Sequence, residues 1–360
     1  MYRETIEFLK NKRVFLTGHT GFKGSWLSQI LLQLGVTVTG YSLEPPTTPS
    51  LFELLEIETE FESIIGDIRN RNMLLHALSS AKPDIVVHMA AQPLVLDSYL
   101  DPIYTYETNV MGTINLLDSI RSLDTVQSFI NVTTDKVYLN DGRINGYVET
   151  DHLDGNDPYS NSKSCSELVT AAYRRSFFNS PSSPSLSTLR AGNVIGGGDF
   201  SNNRIIPDCV QAARSGEVIK VRNPLSVRPY QHVLEPLLAY LLLAYMQTKD
   251  KSIQGSYNIG PDDSCCVTTM ELVEIFCSAW GEGLQWEHHI LPGSPHEAPQ
   301  LRLDNSKIKQ QLGWKPQWNI RQAVEATVEF SKALDDRSEL KRTVQSQISK
   351  YISLLLPTKV

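Results

Sequence analysis

Tyr159 and Lys163 stand four residues apart in the run Tyr159-Ser-Asn-Ser-Lys163, a spacing that puts a phenol and an ammonium on one face of a helix. A phenol with a pKa of about 10 is a poor base at neutral pH, but a neighbouring ammonium favours the phenolate. Such a pair can take the proton of a substrate hydroxyl while a hydride leaves the same carbon. Alone, Y-x-x-x-K is a common pattern. Its weight comes from what lies upstream, where Gly18-His-Thr-Gly21-Phe-Lys-Gly24 follows the β-branched run Arg13–Thr17 and precedes Trp26, Leu27, Ile30, Leu31 and Leu34 at helical spacing. Glycines between a strand and a helix permit a tight turn and close approach of backbone to a pyrophosphate, and the helix N-terminus supplies N–H donors. The spacing here is G-x-x-G-x-x-G rather than the commoner G-x-G-x-x-G. Ser42 occupies the place of the acid that often grips a ribose, with Glu44 close behind, and no arginine lies between Arg13 and Arg69 to receive a 2′-phosphate. NAD is therefore expected in preference to NADP. Asp67 and Ile68, after another strand-like segment, suit the adenine edge, or form an ordinary turn.

These groups need elements to position them. Strand signals recur at 36–41, 84–89, 127–133 and 185–190, with helical patterns at 101–123 and 157–177. Strands alternating with helices predict an α/β protein: a Rossmann-type doubly wound parallel sheet. Past Arg190 the texture changes, with Gly196-Gly-Gly198, Asn202-Asn203 and scattered prolines. A smaller, mixed α/β C-terminal lobe is expected to begin there. The division expected is 1–190 with 233–260 for the dinucleotide, and 191–232 with 261–360 for the substrate. Thr268-x-x-Glu271 marks a capping box, and Gly313 a helix end followed by Pro316.

Composition narrows the partners. The 360 residues are 41% hydrophobic and 20% charged, and 33 Lys plus Arg against 40 Asp plus Glu leave a net charge of −7. No basic field is present to hold a nucleic acid or an anionic membrane, so a small molecule is the expected partner. Five cysteines without a C-x-x-C pair suit a reducing cytoplasm and offer no zinc site. His288-His289 lacks the carboxylates or thiols that would complete a metal set, and no metal is expected. The longest apolar run, 237–246, falls short of the roughly 18 residues a membrane span requires. The sequon at Asn131 lies in a strand that reads as buried.

Taken together, Gly18, Gly21, Gly24, His88-Met-Ala-Ala91, Asn109, Thr134, Tyr159 and Lys163 resemble the extended short-chain dehydrogenase/reductase family. The resemblance covers nearly the whole chain. Ala90-Ala-Gln-Pro-Leu94, Thr134-Asp-Lys136, Arg190-Ala-Gly-Asn-Val-Ile-Gly-Gly-Gly-Asp199, Arg228-Pro-Tyr-Gln-His-Val233 and Pro295-His-Glu-Ala298 are similar to the nucleotide-sugar 4,6-dehydratases, and among them to the group that acts on CDP-D-glucose. That resemblance implies a hydro-lyase that oxidises C4, loses water across C5 and C6, and returns hydride to C6, giving CDP-4-keto-6-deoxy-D-glucose for deoxysugar biosynthesis and O-antigen polysaccharide. It implies Tyr159 as the base for the C4 hydroxyl, Lys163 as its partner, Thr134 as a hydrogen-bond donor to the C4 oxygen, and Asp135 as the acid for the C6 hydroxyl. Lys136 stands where most 4,6-dehydratases carry glutamate; it is either a neutral base for the C5 proton or a charge that stabilises the enolate. The cofactor residues implied are Gly18, Thr20, Gly21, Phe22, Lys23, Gly24, Asp67, Ile68, Ala90, Ala91, Tyr159 and Lys163. Lys23 either strengthens pyrophosphate binding or crowds the turn. Substrate contacts implied are Gln92, Asn193, Arg204, Arg222, Arg228 and His296. Tyr230, and a stretch 141–146 without tryptophan, depart from the CDP-D-glucose group and bear on base and sugar choice. The competing readings are a 4,6-dehydratase or a 4-epimerase for another nucleotide sugar, and a non-catalytic NAD-binding protein. The helices at 101–123 and 159–177 imply a homodimer paired as a four-helix bundle.

Overall fold

The computed structural model describes residues 1–289 and 300–356. Seven strands form one sheet: β1 (Arg13–Thr17), β2 (Thr37–Ser42), β3 (Glu62–Ile65), β4 (Ile85–His88), β5 (Ser128–Thr134), β6 (Ser185–Ala191) and β7 (Ser256–Ile259). Their order is β7-β6-β5-β4-β1-β2-β3, every pairing parallel. Every residue of β4, β5 and β6 is buried, the pattern of a parallel sheet covered on both faces by helices. Side-chain alternation divides β1 between two cores: Val14 and Leu16 pack with Trp26, Leu27 and the helix Leu234–Lys249, while Phe15 packs with Leu74, Leu78, Leu116 and Phe129. The apolar run at 237–246 is thus a core helix, and among the described residues no helix is long and apolar enough to cross a membrane.

The strand order reverses between β1 and β4. Chain segments leaving the C-terminal ends of those two strands diverge and open a crevice, the usual ligand site of such sheets. Residues 18–21 leave β1 there and residues 89–94 leave β4.

The helical pattern at 101–123 is not one helix. Asp101 caps a short helix, Pro102–Tyr106; a π-helical turn, Glu107–Met111, follows, and then the helix Gly112–Ile120. The wider π turn presents Asn109 to the loop after β4, where it bonds both the N–H and the carbonyl of Gln92.

After β6 the chain builds a second core from Ile206, Cys209, Ile219, Val221, Leu272, Phe276, Ala323 and Val324. Small strand pairs brace it: Val194–Ile195 with Gln231–His232, Ile219–Val221 with Trp286–His288, and Val227–Arg228 with Val267–Thr268. The Thr268/Glu271 capping box forms, and Gly313 closes its helix in the left-handed region. The last helix, Arg337–Leu355, returns to the sheet and buries Leu340, Val344, Ile348 and Tyr351 in the core that holds Trp26.

Candidate active site

Two glycines of the first turn are required for separate reasons. Gly18 has φ +78, and a Cβ there would lie 2.7 Å from the Ala90 nitrogen. Gly24 keeps helix against turn, since a Cβ would lie 2.0 Å from the Gly18 carbonyl oxygen. Gly21 caps the helix Phe22–Gln33 with no side-chain bond, so the first N–H groups of that helix remain available to an anion. These free N–H groups, on a turn that Gly18 and Gly24 keep tight, fit the pyrophosphate of a dinucleotide. The Thr20 hydroxyl turns away to the Leu43 carbonyl at 2.9 Å and the Ser42 hydroxyl at 2.9 Å, pinning the turn to the end of β2. Ser42 thereby serves as an anchor. The Ala90 N–H is directed to the Thr17 hydroxyl at 3.2 Å; Ala91 and Phe22 are partly buried at the crevice, and Phe22 lies against Gly196.

At the adenine end, the Asp67 carboxylate is held by the Arg69 guanidinium at 2.7 to 3.1 Å, which keeps it below the usual carboxylate range. Arg69 also pairs with Glu107 at 2.9 Å and lies over the Tyr104 ring. Ile68 is a core residue that abuts Gly112. Asp67 and Ile68, the residues expected at the adenine edge, thus both have protein contacts.

Tyr159 and Lys163 lie on the helix Pro158–Ser176, started by Asp157, whose carboxylate accepts from the Ser160 N–H at 2.9 Å, with Pro158 at the first position. The Ser164 hydroxyl ties this helix to the Val137 carbonyl at 2.7 Å, next to Thr134, Asp135 and Lys136. Both side chains are buried. Burial pushes the Tyr159 phenol up to about 12, opposed by the Thr134 hydroxyl and the charge of Arg204. Burial, then the charge of Lys23, brings Lys163 down to about 8, opposed by Glu167; its Nζ donates to the Val132 carbonyl at 3.2 Å.

Thr134 ends β5 and donates to Asp135 Oδ1 at 3.1 Å. Asp135 is 2% exposed, and its Oδ2 has no hydrogen-bond partner among the described residues. Burial raises its pKa, against the opposing charges of Lys136, Arg228 and Lys23. Gly192 lies beside that oxygen, where a Cβ would be 3.3 Å away. Lys23 feels Arg204, Asp135 and Asp199, and burial brings it down to about 8. The turn, the catalytic helix and the loop after β6 therefore meet in one electrostatic cluster.

The expected substrate residues divide. Arg204 belongs to that cluster, paired with Asp199 at 2.8 Å, and Arg228 is buried and faces Asp135. Asn193 is partly buried just after β6, its carbonyl accepting from the Gln231 N–H. Gln92 instead donates to Thr105 at 2.9 Å and accepts from the Leu94 N–H, which shapes its own loop. Arg222 donates to the Asn203 carbonyl at 3.1 Å and is 3.9 Å from Asp208. His296, with its motif, lies outside the described residues.

Three groups have roles that the sequence did not reveal, and one of them, Glu167, belongs to none of the motifs above. Asp199 holds Arg204. Asn109 joins the Gln92 loop to Ser162 on the catalytic helix at 2.9 Å. Glu167, four residues beyond Lys163, is buried and accepts from Arg190 at 2.8 Å, Thr133 at 2.5 Å and Thr188 at 2.6 Å, so it clamps β5, β6 and the catalytic helix together. The same four-residue step that pairs Tyr159 with Lys163 points to Glu167.

The family model described as GDP-mannose 4,6 dehydratase matches residues 15–327. The CDP-glucose 4,6-dehydratase of Salmonella typhimurium is 44% identical over 353 residues, covering 96% of this chain and 98% of that one. Two solved structures below 25% identity share the fold. The dTDP-glucose 4,6-dehydratase of Bacillus anthracis in complex with NAD gives a TM-score of 0.74 at 22% identity, covering 92% of this chain and 99% of that one. The UDP-glucose-4-epimerase of Stenotrophomonas maltophila with bound NAD gives 0.79 at 23%, covering 90% and 99%.

Proposed function

The chain belongs to the GDP-mannose 4,6 dehydratase family, and we propose that it is an NAD-dependent hydro-lyase that converts CDP-D-glucose to CDP-4-keto-6-deoxy-D-glucose. Asp135 carries the reaction type: a buried carboxyl with one unpartnered oxygen, beside Thr134 and in the field of Tyr159, suits a proton donor to a departing hydroxyl. An epimerase at this position requires no such acid. The 44% identity over nearly the whole chain supports the substrate.

Gly18, Gly21, Lys23 and Gly24 would hold the pyrophosphate of NAD and Lys163 its nicotinamide ribose, and the cofactor, when bound, would supply the hydride acceptor and donor for an internal transfer from C4 to C6. Tyr159 takes the proton of the C4 hydroxyl, and Thr134 donates to the C4 oxygen. The ketone acidifies the C5 proton, and Asp135, whose pKa burial raises, delivers a proton to the C6 hydroxyl as water leaves. Lys136, in the same turn, either removes the C5 proton or remains charged against the enolate. Arg204, Arg228 and Asn193 receive the sugar nucleotide, with Arg222 at the rim.

Incubating the protein with CDP-, UDP- and dTDP-glucose should give 4-keto product from CDP-glucose above all; preference for another base refutes the substrate, and no keto product from any of the three refutes the reaction.

The proposal extends to the lobes, with 1–190 and 233–260 serving the cofactor and 191–232 and 261–360 the substrate, although the last helix packs on the cofactor side. It extends to the cytoplasm, which five free thiols favour, and to supply of deoxysugar for O-antigen. It also includes a homodimer. Tyr99, Leu100, Ile103, Met111 and Leu168 are exposed on neighbouring helices, a patch of the kind that marks an interface. Sedimentation should give a mass near twice 40.4 kDa, and Leu100→Asp with Ile103→Asp should halve it; a single-chain mass for the unmodified protein contradicts the dimer.

A further inference from the structure

His88 ends β4, is 1% exposed, and takes no part in the chemistry above. Its Nδ1 is 2.8 Å from the Thr17 hydroxyl and its Nε2 is 3.1 Å from the Thr113 hydroxyl. Both partners leave only one arrangement of protons. The Thr17 oxygen accepts the N–H groups of Met89 at 3.1 Å and Ala90 at 3.2 Å, which occupies its lone pairs, so its own proton goes to Nδ1. The Thr113 hydroxyl donates to the Asn109 carbonyl at 2.7 Å, so it must accept from Nε2 and from the Ser166 hydroxyl at 3.1 Å. Ser166 in turn accepts from the Asn131 amide at 2.9 Å. Burial, with the charge of Lys163, pushes the imidazole down to about 3, in keeping with a neutral ring.

The chain of bonds has a purpose visible in what it joins. Thr17 immediately precedes Gly18, and the Met89 and Ala90 N–H groups fix the loop that Gly18 touches. On the other side, Thr113 reaches Ser166, and Asn109 reaches Ser162; these two serines flank Lys163 on the catalytic helix. We propose that His88, as its Nε2–H tautomer, is a positioning residue that sets the nucleotide-binding turn in register with the helix that carries Tyr159 and Lys163. It acts through two halves, one toward the cofactor turn and one toward the catalytic helix.

The halves can be separated. Glutamine places an amide donor near Nε2 and loses the acceptor for Thr17; asparagine places an acceptor near Nδ1 and loses the donor to Thr113. The NAD dissociation constant is measured by calorimetry on nucleotide-free full-length protein, and kcat with CDP-glucose at saturating NAD. His88→Gln should weaken NAD binding about 10-fold and leave kcat nearly unchanged, while His88→Asn should keep NAD affinity and lower kcat about 10-fold, as expected for one buried group left unpaired. Equal effects of both variants on both quantities, or no effect of either, overturn the proposal. If melting temperatures show that neither variant folds, Thr113→Val replaces His88→Asn, with the same expected loss of kcat and unchanged affinity; a loss of affinity there also overturns it. The kcat arm rests on the dehydratase reading, whereas the calorimetric arm does not. A wild-type protein that yields no keto product therefore refutes that reading and leaves the cofactor half to be judged on its own.

Discussion

Asp135→Asn is expected to abolish dehydration while NAD binding persists. The carboxyl is buried, its Oδ2 is unpartnered among the described residues, and burial raises its pKa despite the facing charges of Lys136, Arg228 and Lys23. Asparagine has the same shape and cannot deliver a proton to the leaving hydroxyl. Losing a positioned general acid costs about 10²- to 10⁴-fold in kcat. Stability should hold, because a neutral amide avoids the desolvation that the carboxylate bears. Product formation, NAD titration and melting temperature together check the point, and normal dehydration by this variant removes Asp135 from the mechanism.

Tyr159→Phe should be of similar size, about 10²- to 10⁴-fold in kcat, and should act earlier, at proton removal from the C4 hydroxyl. The pH dependence follows from the charges. The base must be ionised, and burial, opposed by the Thr134 hydroxyl and Arg204, holds the phenol up at about 12, so activity rises with pH along the acid limb. The Lys163 ammonium, held at about 8 by burial and Lys23, draws that limb toward neutrality while it stays protonated. Lys163→Met removes the charge and should move the limb to higher pH. A limb that stays in place in Lys163→Met, or a Tyr159→Phe variant of ordinary rate, contradicts the assigned roles.

What could be read from the chain alone depended on distance along it. The glycine turn follows one strand and opens one helix, and Tyr159 with Lys163 needs only one helical turn, so both were legible. The parallel sheet was legible because strand and helix signals alternate along the chain, although β5 and β6 bury Asn131, Ser187 and Arg190 among their apolar residues. Asn109 was legible as a motif residue but not in its role, which depends on a π turn that aims it at Gln92. His88 gains meaning only from Thr17 and Thr113 on two other elements. Asp67 pairs with Arg69, two residues on, a bond that the expectation of an adenine contact did not include. The Gln92 amide bonds Thr105 and Leu94 within its own loop, contacts that residue type and spacing do not reveal.

The central claim is that one site oxidises at C4 and eliminates water at C6 in the same turnover. Supplying CDP-glucose that carries deuterium at C4 and locating the label in the product by magnetic resonance and mass spectrometry tests it most directly. The expected product is a 4-keto sugar one water lighter than the labelled substrate, with the deuterium at C6. A product that keeps deuterium at C4, as epimerisation would leave it, or an unchanged substrate, contradicts it.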